Sequence, residues 1–147
     1  MPAPFAENCE SLLLFEDTPA LMMHPRHPLA QSVCISPKEL SGKTLIWPRI
    51  NHGLKETVES GFAAKNLPPP LLSSHHQTTA WTLAKKGAGA VLVPSHSKGS
   101  YTRGLVIRPI DLPACRRAYR LYLRKSRVLT PEDLLFLDFV KSYRFAK

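Results

Sequence analysis

The sequence predicts an α/β protein built on a largely parallel sheet, and three observations carry that expectation. Short apolar stretches suited to strands alternate with stretches of helical periodicity, in the order strand, strand, helix, strand, helix, strand, helix, strand, strand, strand, helix. Such alternation is what parallel sheets with crossover helices produce. Residues 88–93 are small, apolar and β-branched and stop at Pro94, which reads as a central strand covered on both faces. Finally, the 147 residues are 44% hydrophobic and 21% charged, enough for one domain with a core and too few for two comfortable ones.

The elements follow in order. Residues 11–16 (Ser-Leu-Leu-Leu-Phe-Glu) read as a strand and residues 19–24 (Pro-Ala-Leu-Met-Met-His) as a second, with a turn over 16–19. Pro25 and Pro28 are expected to forbid both helix and sheet pairing between them. Ser36 as N-cap with Pro37 at the first helical position predicts one short turn of helix, ended by Gly42. Residues 44–47 form a short buried strand. Leu54, Val58, Phe62 and Ala63 recur near helical spacing, so residues 53–65 are a helix in spite of Gly61. Pro68-Pro69-Pro70 is a rigid connector, and Leu71-Leu72 a short strand.

Residues 77–86 form a helix with Ala80, Leu83 and Ala84 on one face, capped by Ser74 or His75 and stopped by Gly87. Residues 105–110 are a strand. In residues 117–124 Ala118, Arg120, Tyr122 and Arg124 alternate with Tyr119, Leu121 and Leu123, the pattern of a half-buried strand. Thr130-Pro131-Glu132-Asp133 opens the last helix, with Leu134, Leu137 and Val140 on one face.

Charge and cysteine usage narrow the function classes. The net charge of +9 is uneven: residues 1–74 hold 6 Lys/Arg against 7 Asp/Glu, and residues 75–147 hold 14 against 4. The excess gathers at Arg116, Arg117, Arg120, Arg124, Lys125 and Arg127. Such a cluster suits a polyanion, but the strand alternation that turns Arg120 and Arg124 to solvent explains it as well. Cys9, Cys34 and Cys115 are odd in number and far apart, which suits reduced thiols. No apolar run approaches the roughly 20 residues of a membrane span, and the N-terminus lacks the pattern of a secretory signal, so a cytoplasmic location is expected.

The residues that could carry chemistry point to binding. His24, His27, His52, His75, His76 and His96 lack metal-ligand spacing and have no His-Glu-x-x-His arrangement. No Gly-x-Ser-x-Gly presents a nucleophile. Gly87-Ala88-Gly89 follows a helix and precedes a strand, the reverse of a dinucleotide loop. In an open α/β sheet, ligands sit beyond the carboxyl ends of the strands. Those ends are expected at His24-Pro25, at residues 47–51, at residues 73–76 and at Pro94-Ser95. Helices starting near Gly53 and Gln77 would point free N–H groups at this edge and favour an anion such as a carboxylate. Arg49, Asn51, His75, His76 and Thr78 would add side-chain donors; the competing reading is that residues 73–76 only cap a helix and Arg49 is solvated.

The series of segments resembles the effector-binding domain of LysR-type transcriptional regulators. Leu-Met-Met-His-Pro-Arg-His-Pro-Leu-Ala (21–30) is similar to the family's strand followed by His-Pro-Leu-Ala. Residues 35–46 (Ile-Ser-Pro-Lys-Glu-Leu-Ser-Gly-Lys-Thr-Leu-Ile) are similar to its short helix and strand, and residues 83–94 (Leu-Ala-Lys-Lys-Gly-Ala-Gly-Ala-Val-Leu-Val-Pro) to its Gly-x-Gly stretch. Segments 105–110, 119–124 and 129–140 close the series in the family's order.

The resemblance implies a periplasmic-binding-protein-like (type 2) α/β fold, with helices on both faces of the sheet. One subdomain is complete, at about residues 24–108; residues 1–23 and 109–147 supply the crossover and the C-terminal part of a second. It also implies a small effector contacted by His24, by the loop of Pro48, Arg49 and Asn51, and by His75 and His76. Family members often carry Thr or Ser where His24 and His75 stand. No enzymatic activity, metal or cofactor is implied. DNA would be contacted only through an N-terminal helix-turn-helix that these residues do not contain, and a homodimer or higher oligomer is expected. Apolar surface over residues 115–145 would be exposed. Three alternatives stay open: a solute-binding protein of the same fold, a remnant acting only in oligomerisation, and nucleic-acid binding through the arginine cluster.

Overall fold

The computed structural model describes residues 6–49, 52–97 and 99–145. The chain separates into two compact units, Asp17–Arg116 and a smaller one of Met1–Glu16 with Arg117–Lys147. The larger unit takes in segments outside the expected 24–108 span. The reason lies in its core, where the strand at Pro19–Met23 is fully covered and Ile110, Leu112 and Cys115 are buried.

The larger unit holds β2 (Pro19–Met23), α1 (Pro37–Leu40), β3 (Thr44–Pro48), α2 (His52–Ala64), β4 (Leu71–His75), α3 (Gln77–Lys85), β5 (Val91–Pro94) and β6 (Val106–Pro109); β1 (Cys9–Asp17) precedes them. Its five strands are ordered β4-β3-β5-β2-β6. β3 is parallel to both β4 and β5, whereas β2 is antiparallel to β5 and to β6. Four strands therefore point one way and β2 alone is reversed.

The pleat sends alternate residues to opposite faces, and each face is covered by one helix. Leu21, Met23, Leu45, Trp47 and Leu92 pack under Leu54, Val58 and Phe62 of α2. Ala20, Met22, Ile46, Val91 and Val93 pack under Ala80 and Ala84 of α3. A fully buried side chain of this size contributes about 1.5–3 kcal/mol of transfer free energy, so β2 and β5, buried at every position, anchor the fold.

Local chemistry explains most element ends. Ser36 and Glu39 form a reciprocal capping box around Pro37 at the start of α1. Gly87, at φ +74°, stops the chain after α3 in the left-handed region. Two expectations are corrected. β4 runs on to His75 rather than ending at Leu72, because pairing with β3 carries Ser73, Ser74 and His75 into the ladder and an outer strand tolerates polar side chains. Pro28 opens a short 3-10 helix, Pro28–Gln31, where no helix was expected. Proline suits a first helical position, and the His27 side chain caps the turn by accepting from the Leu29 N–H at 3.2 Å.

In the smaller unit β1 pairs with β7 (Arg117–Arg124), and α4 spans Pro131–Ser142. β7 alternates strictly between half-buried and exposed residues, with Arg120 and Arg124 on the exposed side. Phe15 stacks on Tyr119 at 4.4 Å between ring centroids. Thr130 and Asp133 form a capping box at α4, and Arg127 grips both Asp133 oxygens at 2.9 and 3.0 Å. Leu137 and Val140 are buried, but Leu134, expected beside them, is 51% exposed. No helix among the described residues is long and apolar enough to cross a membrane.

Candidate ligand-binding site

The carboxyl ends of β3, β4 and β5 share one rim of the larger sheet, and the amino end of β2 joins them there. The registers fix this: Pro48 lies opposite His75, and Pro94 opposite Pro19. Of the expected residues, Pro48, Arg49, His75, His76 and Thr78 gather at the β3–β4 part of the rim. Asn51 lies outside the described residues.

His24 does not belong with them. It follows β2, whose reversal puts it at the opposite end of the sheet. Its imidazole is used locally: Nδ1 accepts from the Arg26 N–H at 3.1 Å and turns the chain toward His27. The expectation of a shared edge for His24 is therefore corrected by strand direction.

Within the rim each side chain is placed by the pleat. Leu72 packs with the α2-side core, so Ser74 shares that face, while Ser73 and His75 turn to the α3 side. The Arg49 backbone N–H donates to the His75 carbonyl at 3.2 Å, and its Nε donates to Ser74 Oγ at 3.3 Å. The guanidinium is thus held on the α2 face. On the other face His75 Nε2 lies 2.8 Å from Ser73 Oγ. Two candidate donors therefore flank the rim, one on each face, each steadied by a neighbouring serine. Pro48 is buried, and its fixed ring sets the chain direction at the rim.

α3 begins immediately after His75. Its N-cap residue, His76, is exposed and makes no side-chain cap bond. The first-turn amides of the helix are directed at the rim with the positive end of its dipole. Thr78 is exposed in that turn; its carbonyl accepts from Thr82 Oγ1 at 2.9 Å.

Further along the rim, Thr18 and Ser95 close the β2–β5 ladder. The Ser95 N–H donates to the Thr18 carbonyl at 2.9 Å, and the Thr18 N–H to Ser95 Oγ at 3.1 Å. Beside them, His96 Nδ1 lies 2.8 Å from Oδ2 of the buried Asp17. Ser73 and Thr18 were not singled out by the sequence, and Ser74 only as a cap for α3, a position that His76 takes instead. Small hydroxyl residues carry no distinguishing pattern until pairing puts them beside a cation or at a strand end.

Chemically, the β3–β4 rim is a collection of hydrogen-bond donors: a guanidinium, two imidazoles, hydroxyls and helix amides. Such a set suits an oxyanion. No cluster of three or more His, Cys, Asp or Glu able to hold a metal occurs among the described residues. In the smaller unit, a surface hollow of about 460 Å³ is lined by Tyr122, Leu123, Arg124, Ser126 and Arg127. None of the expected ligand contacts lines it, and Arg127 is already committed to Asp133.

Comparison with known proteins adds the following. Residues 2–144 match the family described as the LysR substrate binding domain. A curated Bacillus subtilis (strain 168) protein, described as the uncharacterized HTH-type transcriptional regulator YybE, is 27% identical over 118 residues, covering 80% of this chain and 40% of that protein. The chain thus spans well under half the length of this relative. The solved effector binding domain of QuiR in complex with shikimate aligns with a TM-score of 0.70 at 22% identity, covering 97% of this chain and 68% of that one. The BenM effector binding domain with its effector benzoate gives a TM-score of 0.69 at 18% identity, covering 96% of this chain and 64% of that one. At these identities the likeness is one of fold.

Proposed function

The chain belongs to the LysR substrate-binding domain family, and from that membership we propose that it is the ligand-sensing module of a LysR-type transcriptional regulator. It binds a small carboxylate-bearing effector at the β3–β4 rim, and binding controls DNA contact by a helix-turn-helix segment outside this sequence. The observation that carries the reading is the set of donors at that rim: Arg49 held by Ser74, His75 held by Ser73, and the uncapped amino end of α3. Pro48, His76 and Thr78 border the same place. On this reading the chain works by binding rather than catalysis, in the cytoplasm and as a homodimer or higher oligomer.

A thermal-shift screen of aromatic and aliphatic carboxylates, shikimate and benzoate among them, followed by calorimetry, tests this. Arg49→Ala and His75→Ala are expected to weaken the bound carboxylate about tenfold or more each, since a charge-assisted hydrogen bond contributes about 1.5–3 kcal/mol. His24→Ala is expected to leave affinity unchanged. The reading is overturned if no carboxylate stabilises the folded chain, or if both rim variants bind as tightly as the parent.

A further inference from the structure

Ser73 and His75 are separated by two positions on β4, so the pleat places them on the same face. Their side chains meet at 2.8 Å, Ser73 Oγ to His75 Nε2. A serine hydroxyl can donate or accept, and a neutral imidazole can donate from only one nitrogen, so this contact has two arrangements. If Nε2–H donates, the hydroxyl of the half-buried Ser73 has only solvent to donate to, since among the described residues its Oγ bonds His75 alone. If the hydroxyl donates, Nε2 is the acceptor, and the ring proton must sit on Nδ1.

We infer that Ser73 is a positioning residue that donates to His75 Nε2 and holds the neutral imidazole as its Nδ1–H tautomer, so that the nitrogen away from the serine is a hydrogen-bond donor. The serine can also follow the ring through protonation. When the imidazole takes up a second proton, Nε2–H donates and Ser73 Oγ accepts. Nδ1 remains a donor in both states, and an oxyanion effector meets a donor whether the ring is charged or neutral. Without the hydroxyl, the neutral ring is free to carry its proton on Nε2, which turns Nδ1 into an acceptor that repels a carboxylate.

The surroundings add little competition. β4 is the outermost strand of its sheet, with β3 alone beside it. Among the described residues, the charged or titratable groups brought to His75 by the adjoining elements are Arg49, after β3, and His76, before α3. The Arg49 Nε is turned to Ser74 on the other face, and His76 is exposed. Neither faces the Nε2–Oγ contact.

The effect on effector binding rests on the proposed function, but the tautomer does not, and the experiment separates them. The imidazole nitrogens of the full chain, labelled with nitrogen-15 histidine, are read by NMR at about pH 8, where an imidazole is ordinarily neutral. His75 is assigned by the signal that His75→Gln removes. The parent chain is expected to show the protonated signature at Nδ1 and the unprotonated one at Nε2. Ser73→Ala is expected to shift His75 toward the opposite tautomer, and Ser73→Thr, which keeps the hydroxyl, to retain the parent pattern. An Nε2–H tautomer in the parent, or a pattern indifferent to Ser73→Ala, overturns the inference.

Benzoate titration then reads the consequence. Ser73→Ala should lose several-fold in affinity at about pH 8, and Ser73→Thr, which keeps the hydroxyl, should not. Benzoate that binds the parent and Ser73→Ala equally at about pH 8 removes the serine's role in recognition. Benzoate that ignores His75→Ala counts against the proposed site, while the NMR result still decides the tautomer.

Discussion

At Gly61 the helix α2 carries no side chain, and Cys115 occupies the space. A Cβ there would overlap Cys115 Sγ and sit 3.3 Å from both methyl carbons of Leu112. The thiol itself is pinned, donating to the Thr57 carbonyl at 3.2 Å, and burial raises its pKa, with Lys65 opposing. Alanine ordinarily gains about 1 kcal/mol over glycine inside a helix, whereas overpacking a core costs about 1–3 kcal/mol. Gly61→Ala is therefore expected to be neutral to destabilising by up to about 2 kcal/mol, read as a lower urea midpoint, and most of the penalty should vanish in a Cys115→Ala background. A plain gain in stability from Gly61→Ala would show that the contact yields. Sequence periodicity placed the helix but gave no reason for the glycine, because the atom that requires it arrives from a position 54 residues away along the chain.

Among the elements, the short turn at Pro28–Gln31 ties folding to pH. His27 accepts from the Leu29 N–H through Nδ1, a bond that only the unprotonated nitrogen can make. Burial, assisted by the charge of Lys43, lowers the His27 pKa below its ordinary value. The unfolded chain binds the proton near about pH 6.5 and the native chain resists it to lower pH. This contribution to stability is fully present above about pH 6.5 and is lost as pH falls through the lowered native value. The fall in urea midpoint between about pH 7.5 and pH 5.5 should be shallower in His27→Asn, which keeps a short acceptor for the cap. Equal slopes in parent and variant would remove His27 from that role. The reversal of β2 also belongs to this scale. Its five residues are buried throughout, and an all-apolar run reads alike whichever way the strand points. That is why His24 was assigned to the rim by sequence and removed from it by pairing.

For the molecule as a whole, the smaller unit presents several large apolar side chains to solvent. On α4, Leu135 is 71% exposed and Phe139 58%, Phe136 is more than half exposed, and so is Tyr143 at the C-cap. Leu135 and Phe139 are four residues apart and so neighbours on the helix surface, and the Tyr143 ring lies 5.4 Å from that of Phe139; together they form one stripe. β1 and β7 make a sheet of two strands, an arrangement of marginal stability by itself. Contiguous exposed apolar surface of this kind drives association. Sedimentation of the chain is expected to show concentration-dependent self-association, and the Leu135→Lys, Phe139→Lys pair to shift it toward monomer. A parent chain that stays monomeric across the concentration range, or a variant that associates as strongly, would dissociate the stripe from oligomerisation.

The amino-acid sequence by itself determined the α/β class, nearly every element, the strict alternation of β7 and the segments that identify the family. These are properties of neighbours along the chain: periodicity, capping residues and turn formers. It also located the β3–β4 rim, because helices that begin directly after strands announce a carboxyl edge. Tertiary structure decided the rest. The direction of β2, the sides of the rim to which Arg49 and His75 turn, the serine beside each of them, and the atom facing Gly61 all depend on which strands pair and in which register. Pairing is chosen by the summed burial of both sheet faces, and no single segment carries that information.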